Sequence, residues 1–253
     1  MNSNELENEI ALINNATMPH AVAFLYQEPF LYQKDYAEIT GSIPAAWFLS
    51  WFCPLCPPYE EMALSNDDIC QSLCFTKTQW AKVRHLLMKQ NILNYRTEKK
   101  QTFFSLNDDN VEWLLRHRKR DEKEDIINIF FPVVLGVNRL HCATLIDLGV
   151  SLNAVILLAY LIDTLPAKPL NERETISTPI LIQQNRITAD TYLTQRQISV
   201  ALAELNKISV VEITKNQEDK QKYTTINFNQ LGAITETYIK KLPTGGNNDE
   251  NAP

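Results

Sequence analysis

The stretch that most constrains the fold is residues 76–106, TKTQWAKVRHLLMKQNILNYRTEKKQTFFSL, where a helical period runs straight into two β-prone runs around a charged tip. Trp80, Val83 and Leu87 recur at i, i+3 and i+7 and form one apolar helical face. With about 100° of rotation per residue, Thr78, Lys82, His85 and Lys89 fall on the opposite face. Asn91-Ile92-Leu93 gives the small-polar-then-apolar exit of such a helix, and residues 93–96 and 101–106 read as paired strands with Thr97-Glu98-Lys99-Lys100 between them. Before it, residues 64–74 read as another helix, capped by Ser65 with Asp68 at the capping-box position. Cys74-Phe75 make the turn, and Thr76 caps the next helix.

Helix, tight turn, helix and hairpin in that order predict a winged helix-turn-helix. The order recurs. Residues 193–211 match 75–93 at an offset of 118, and 150–161 match 41–52 at an offset of 109, so nine residues are inserted between the two matches. Thr76/Thr194, Gln79/Gln197, Trp80/Ile198, Leu87/Leu205, Ile92/Val210 and Leu93/Val211 coincide without a gap. The predicted fold class is mainly α with small β-hairpin wings: two winged helix-turn-helix domains from an internal duplication. The predicted organisation is a polar arm (1–20), a first domain (21–115), a charged linker (116–128), a second domain (129–243) and a disordered tail (244–253).

In the remaining segments, residues 21–26 (AVAFLY) read as a short strand and 33–38 as a short helix. Ser42 and Pro44 suit the N-cap and first turn of a helix whose Trp47, Trp51 and Phe52 belong to the core. The prolines of CPLCPP end that helix. Asp108 starts a helix with a basic end, which suits the negative C-terminal pole. In the second half, 210–215 and 222–228 read as wing strands around the tip 216–221.

The net charge of −6 conceals a strong asymmetry. Residues 1–75 carry one Lys or Arg against ten Asp and Glu, whereas residues 76–120 carry eleven against four. The one strongly basic block therefore coincides with the helix and hairpin described first, which points to an anionic partner for that block alone.

The expected DNA-contacting residues are Lys77, Thr78, Gln79, Lys82, His85 and Lys89 on the helix, with Arg96, Lys99 and Lys100 on the wing. A positive wing beside a positive helix neutralises phosphates on both sides of a groove. Arg116, Arg118, Lys119 and Arg120 either extend this footprint or solvate a linker. In the second copy the exposed face becomes Arg196, Val200, Ala203 and Lys207; it either reads thymine methyls or packs on protein. Gln195 and Arg196, with Lys215 on the second wing, are its expected contacts. Weaker DNA contact there leaves room for homodimerisation through the second domain.

Cys53, Cys56, Cys70 and Cys74 form a ligand set of the kind that holds tetrahedral zinc. Against zinc, Cys70 and Cys74 flank an Ile69/Leu73 core stripe, and the pairs lack glycine knuckles. No cofactor is expected. Phosphate-cradling glycine loops, HExxH and GxSxG are missing from the sequence, so no enzymatic chemistry is expected. With five cysteines, no apparent export signal and no long apolar run, the expectation is a cytoplasmic protein that does not engage membranes.

The pattern GSIPAAWFLSWF … LSNDDI … FTKTQWAKVRHLLMKQNIL resembles the winged-helix modules of phage and plasmid replication proteins, both replisome organisers and tandem winged-helix initiators. The resemblance covers about 40–110 well and 145–230 more loosely; Asn91 and Ser209 stand where those modules carry glycine at the helix exit. It implies non-catalytic binding of double-stranded DNA in replication or transcription regulation of a bacterium or mobile element. The alternative is a protein-interaction adaptor whose acidic N-terminal region engages a basic partner.

Overall fold

A computed structural model describes residues 29–118, 134–165, 177–217 and 220–242. The arm at 1–20, the strand read at 21–26, most of the linker, Lys119, Arg120 and the tail lie outside the described residues. The described chain is mainly helical with small antiparallel sheets.

The first half runs β1 (Pro29–Gln33), α1 (Lys34–Thr40), α2 (Ile43–Phe52), β2 (Met62–Ala63), α3 (Asn66–Leu73), α4 (Lys77–Lys89), β3 (Leu93–Glu98), β4 (Gln101–Leu106) and α5 (Asp108–His117). The second half repeats that order as β5 (Val134–Asn138), α6 (Arg139–Asp147), α7 (Leu152–Asp163), β6 (Ile180–Leu181), α8 (Gln184–Thr191), α9 (Gln195–Lys207), β7 (Val211–Lys215), β8 (Lys222–Ile226) and α10 (Phe228–Lys241).

The backbone details repeat as well. Cys74 and Tyr192, which end α3 and α8, both take left-handed φ (55° and 66°), and so do Asn91 and Ser209 (56° and 60°) at the exits of α4 and α9. The Ile92 amide donates to the Leu87 carbonyl and the Asn107 amide to the Ile92 carbonyl; Val210→Leu205 and Asn227→Val210 are the equivalent bonds. Ser42, Ser65, Thr76, Ser151 and Thr194 cap their helices as their spacing predicts, with reciprocal capping boxes at Ser65/Asp68, Thr76/Gln79 and Thr194/Gln197. Each such cap contributes about 1 kcal/mol.

Helices α2 and α7 are apolar around most of their circumference because they are surrounded. In the first half, α2 contacts β1, α1, α3 and α4; in the second, α7 contacts β5, α6, α8 and α9. Trp47 packs against Phe30 of β1 with the rings tilted by 35° (4.1 Å between centroids). On another side of α2, Phe48 meets Trp80 of α4 (4.8 Å), which meets Phe104 of β4 edge-on (5.9 Å). Rings on two sides of α2 thus carry the core toward the first strand and toward the hairpin.

Four features depart from the sequence reading. Strands β1 and β5 pair antiparallel, Pro29 opposite Asn138 and Gln33 opposite Val134, so the halves share a sheet. Each hairpin also gains a third short strand, β2 beside β4 and β6 beside β8. The first hairpin is longer and tighter than expected: β3 continues through Thr97 and Glu98, leaving only Lys99 and Lys100 in the turn. In the second, β7 begins at Val211 and β8 ends at Ile226. Finally, no linker begins at 116, since Arg116 and His117 complete α5. Arg118 turns back onto α1, where it pairs with Asp35 at 2.7 Å and faces Glu38 at 3.2 Å. With its side chain only 8% exposed, Arg118 is a structural cation and not part of a surface footprint.

Candidate nucleic-acid interface

Helix α4 is seated by Trp80, Val83 and Leu87, all buried. The Trp80 Nε1–H donates to Asn66 Oδ1 at 2.7 Å, which fixes α4 against the first residue of α3. With that face committed to the core, Thr78, Lys82, His85 and Lys89 are exposed together along the other side, as the helical period predicts. Lys82 and Lys89 make no ion pair among the described residues.

The β3–β4 turn is the least ordinary piece of local structure here. Lys99 and Lys100 have φ of 48° and 71° and fill a two-residue turn with both positions left-handed. Such turns strongly favour Asn-Gly, because a Cβ is strained there. Two lysines in that place accept the strain, and neither forms an ion pair among the described residues. They stand at one side of an open groove of about 600 Å³, with Asn66, Lys77, Arg84 and Thr102 among the residues lining it.

Other expected contacts are already committed within the chain. Arg96 donates to both oxygens of Glu61 (2.9 Å from Nε and 2.7 Å from Nη2 to Oε2, 3.1 Å from Nε to Oε1) and to Glu98 at 2.6 Å. Its guanidinium lies 4.4 Å from the Phe103 ring centroid. The pairing lowers the Glu61 carboxyl from its ordinary range and strengthens the charge on Arg96. Arg96 therefore braces the hairpin against the segment before β2 and is not a free wing cation. Lys77 pairs with Asp67 at 2.9 Å, a bond that raises its ammonium pKa. The Gln79 side chain is used in the cap of α4, where Oε1 accepts from the Thr76 amide at 2.8 Å.

Arg84 was not among the expected contacts. It donates to Asn66 Oδ1 at 3.3 Å, lies over the Tyr95 ring at 5.2 Å and lines the groove. Its position beside the core stripe hid it from a reading based on opposite faces; the aromatic Tyr95 on the next strand was the available signal.

The second half presents a cleft at the corresponding place, about 690 Å³, lined by Asn185, Arg186 and Lys222 among others. On α9, Ile198, Ala201, Leu202 and Leu205 are buried, while Gln195, Arg196, Val200, Ala203 and Lys207 are exposed. Val200 and Ala203 thus do not pack on the described residues of this chain. Gln195 donates to Asn185 at 3.3 Å. Lys215 lies directly opposite Lys222 across the second hairpin, a like-charge pairing that an anion would relieve.

No family model matches the chain, and no curated protein matches it.

The zinc reading does not survive the geometry. Among the described residues no three potential ligands gather, so Cys53, Cys56, Cys70 and Cys74 do not form a tetrahedral set. The Cys56 thiol donates instead to the Glu60 carbonyl at 3.4 Å. Burial pushes the Cys53 thiol up to about 11. No helix among the described residues is long and apolar enough to cross a membrane.

Proposed function

We propose that the chain is a tandem winged helix-turn-helix protein that binds double-stranded DNA without catalysis, in replication or transcription regulation of a bacterium or mobile element. The observation that carries this reading is the strained Lys99-Lys100 turn. A pair of cations without ion-pair partners among the described residues occupies backbone positions that disfavour them, beside a helix exposing Lys82, His85 and Lys89. Strain of this kind persists where a function requires the residue.

Thr78, Lys82, His85 and Lys89 enter the major groove, and Lys99 and Lys100 reach phosphates on its flank. Arg84 sits between them. Arg96 and Lys77, neutralised by Glu61 and Asp67, contribute position and little affinity. The second half adds Arg196, Lys215 and Lys222, and Val200 and Ala203 are placed for apolar contact with thymine methyls.

The test is a salt titration with random duplex DNA. Binding weakens as salt rises, and combined alanine substitution at Lys82, Lys99 and Lys100 flattens the slope by about 0.9 for each phosphate no longer neutralised. A slope unchanged by all three substitutions overturns the assignment.

One observation favours the adaptor reading. Tyr59 is 76% exposed and left-handed (φ 62°), and is pinned there by bonds from its amide to Asp108 (2.7 Å) and its hydroxyl to Asp109 (3.1 Å). With Trp113 of α5 also exposed, this acidic, aromatic face suits a basic protein partner. Binding of such a partner with no duplex binding at low salt decides for the adaptor.

A further inference from the structure

The shared sheet fixes how the two halves are related. Strands β1 and β5 are each five residues long and run straight into a helix, with Gln33 and Asn138 as the helix N-caps. Counted back from those caps, Leu31 is the middle of β1 and Gly136 the middle of β5, and the ladder sets these two directly opposite each other. Antiparallel strands run in opposite senses with reciprocal bonds, so a local two-fold axis passes between each pair of facing residues. Equivalent residues therefore meet across that axis. A half-turn about it exchanges the strands and, with them, the halves they lead into.

The faces of the sheet give the direction of the helices. Phe30, Tyr32, Leu135 and Val137 are buried on its inner face, while Leu31 and Val134 are exposed on the outer one. On the inner side α2 packs on β1 and α4 on α2; in the second half α7 packs on β5 and α9 on α7. Strand, central helix, outer helix is the same order twice, so the exposed faces of α4 and α9 both point away from the sheet, on the same side. The Tyr32 hydroxyl, which reaches the Thr191 carbonyl at 3.1 Å, holds the turn before α9 close to the axis.

Duplex DNA has the matching symmetry, because its dyads relate sites read in opposite directions on the two strands. A compact unit of about 100 residues has a radius of gyration of ~13 Å, hence a diameter of ~34 Å. Two such units joined at a sheet have centres about one turn of B-DNA apart.

We propose, resting on the duplex-binding reading above, that one chain binds one inverted pair of unlike half-sites centred about one helical turn apart, with α4 in one arm and α9 in the other. The arms are unlike because the exposed positions differ: Lys77, Thr78, Lys82 and His85 on α4 stand where α9 has Gln195, Arg196, Val200 and Ala203. A single chain thus occupies both arms, as a symmetric dimer would, and gives the site a direction.

The experiment makes the two helices alike. Gln195→Lys, Arg196→Thr, Val200→Lys and Ala203→His copy the face of α4 onto α9 at positions that are already exposed. The full wild-type and substituted chains each select from a random duplex library, and the mass of each complex with its selected duplex gives the stoichiometry. The wild type is expected to recover a site with two different arms. The substituted chain is expected to recover an inverted repeat of the arm read by α4, with one chain per duplex in both cases. Inserting about five base pairs between the wild-type arms turns one of them half a turn away and reduces binding to that of a single arm. A direct repeat or a single arm recovered by the substituted chain, or two chains on one inverted pair, overturns the proposal and leaves duplex binding standing. Recovery of no duplex by the wild type overturns the duplex-binding reading itself, and the proposal with it.

Discussion

The Tyr32 hydroxyl donates a hydrogen bond to the Thr191 carbonyl oxygen from a fully buried position, tying β1 of the first half to the end of α8 in the second. Thr191 is itself buried, and its hydroxyl bonds back to the Ile187 carbonyl at 2.6 Å. Substituting Tyr32→Phe retains the ring and removes only the donor, leaving the carbonyl without that partner. We expect a loss of about 1–2 kcal/mol in urea unfolding, with a single transition retained. An unchanged midpoint would show that water replaces the bond.

The Lys99-Lys100 turn makes opposite predictions for stability and binding. Replacing Lys99→Asn and Lys100→Gly supplies residues that tolerate the left-handed region. The folded state should gain about 1–2 kcal/mol from relief of strain. Duplex affinity should fall, and its salt dependence should weaken, because two cations are removed. Thermal unfolding and binding of the same double variant check both signs. A variant that is neither more stable nor weaker in binding contradicts the account of the turn.

Asn66 is the hinge pin of the helix pair. Its side-chain carbonyl receives the Trp80 indole N–H and the Arg84 guanidinium together. Asn66→Ala leaves the indole donor without its partner and should cost about 1–3 kcal/mol. Trp80→Phe removes both the donor and part of the ring stack against Phe48 and Phe104, so the penalty should be larger. Chemical denaturation of the two variants gives the ranking.

His141 supplies a pH dependence with a defined sign. Burial lowers its pKa from 6.5 to about 4. The unfolded chain therefore takes up the proton first as the pH falls. Stability is fully present above about 6.5, declines between there and about 4, and levels off below, with a total of at most about 3 kcal/mol. In His141→Gln this part of the pH profile should flatten. Urea midpoints measured from pH 7 to pH 4 for both chains provide the comparison.

Helices α2, α3, α4 and α5, and the exposed set Thr78, Lys82, His85 and Lys89, were legible in the sequence because capping residues and apolar period are local. The halves' shared sheet was not. Strand β1 opens with Pro29, and β5 contains Gly136; neither run advertises a strand, and their partners lie in opposite halves. The short strands β2 and β6 are fixed by pairing with β4 and β8 and have no periodicity of their own. For the candidate site, composition marked the basic block but could not say which cations were already neutralised. Glu61 is thirty-five positions from Arg96, and Asp35 and Arg118 meet only when α5 folds back on α1.

The β1–β5 pairing also bears on synthesis. Strand β1 has its ladder partner in the second half, so on a ribosome its hydrogen-bonding edge stays unmatched until Asn138 has emerged. Helices α3 and α4 and the β3–β4 hairpin can close well before that point, since their contacts are local. Phe30 and Tyr32 have Trp47 of the first half to pack on, so vectorial folding would leave only the backbone edge of β1 waiting, and a pause in translation before residue 138 would prolong the exposure of that edge to chaperones and to neighbouring chains.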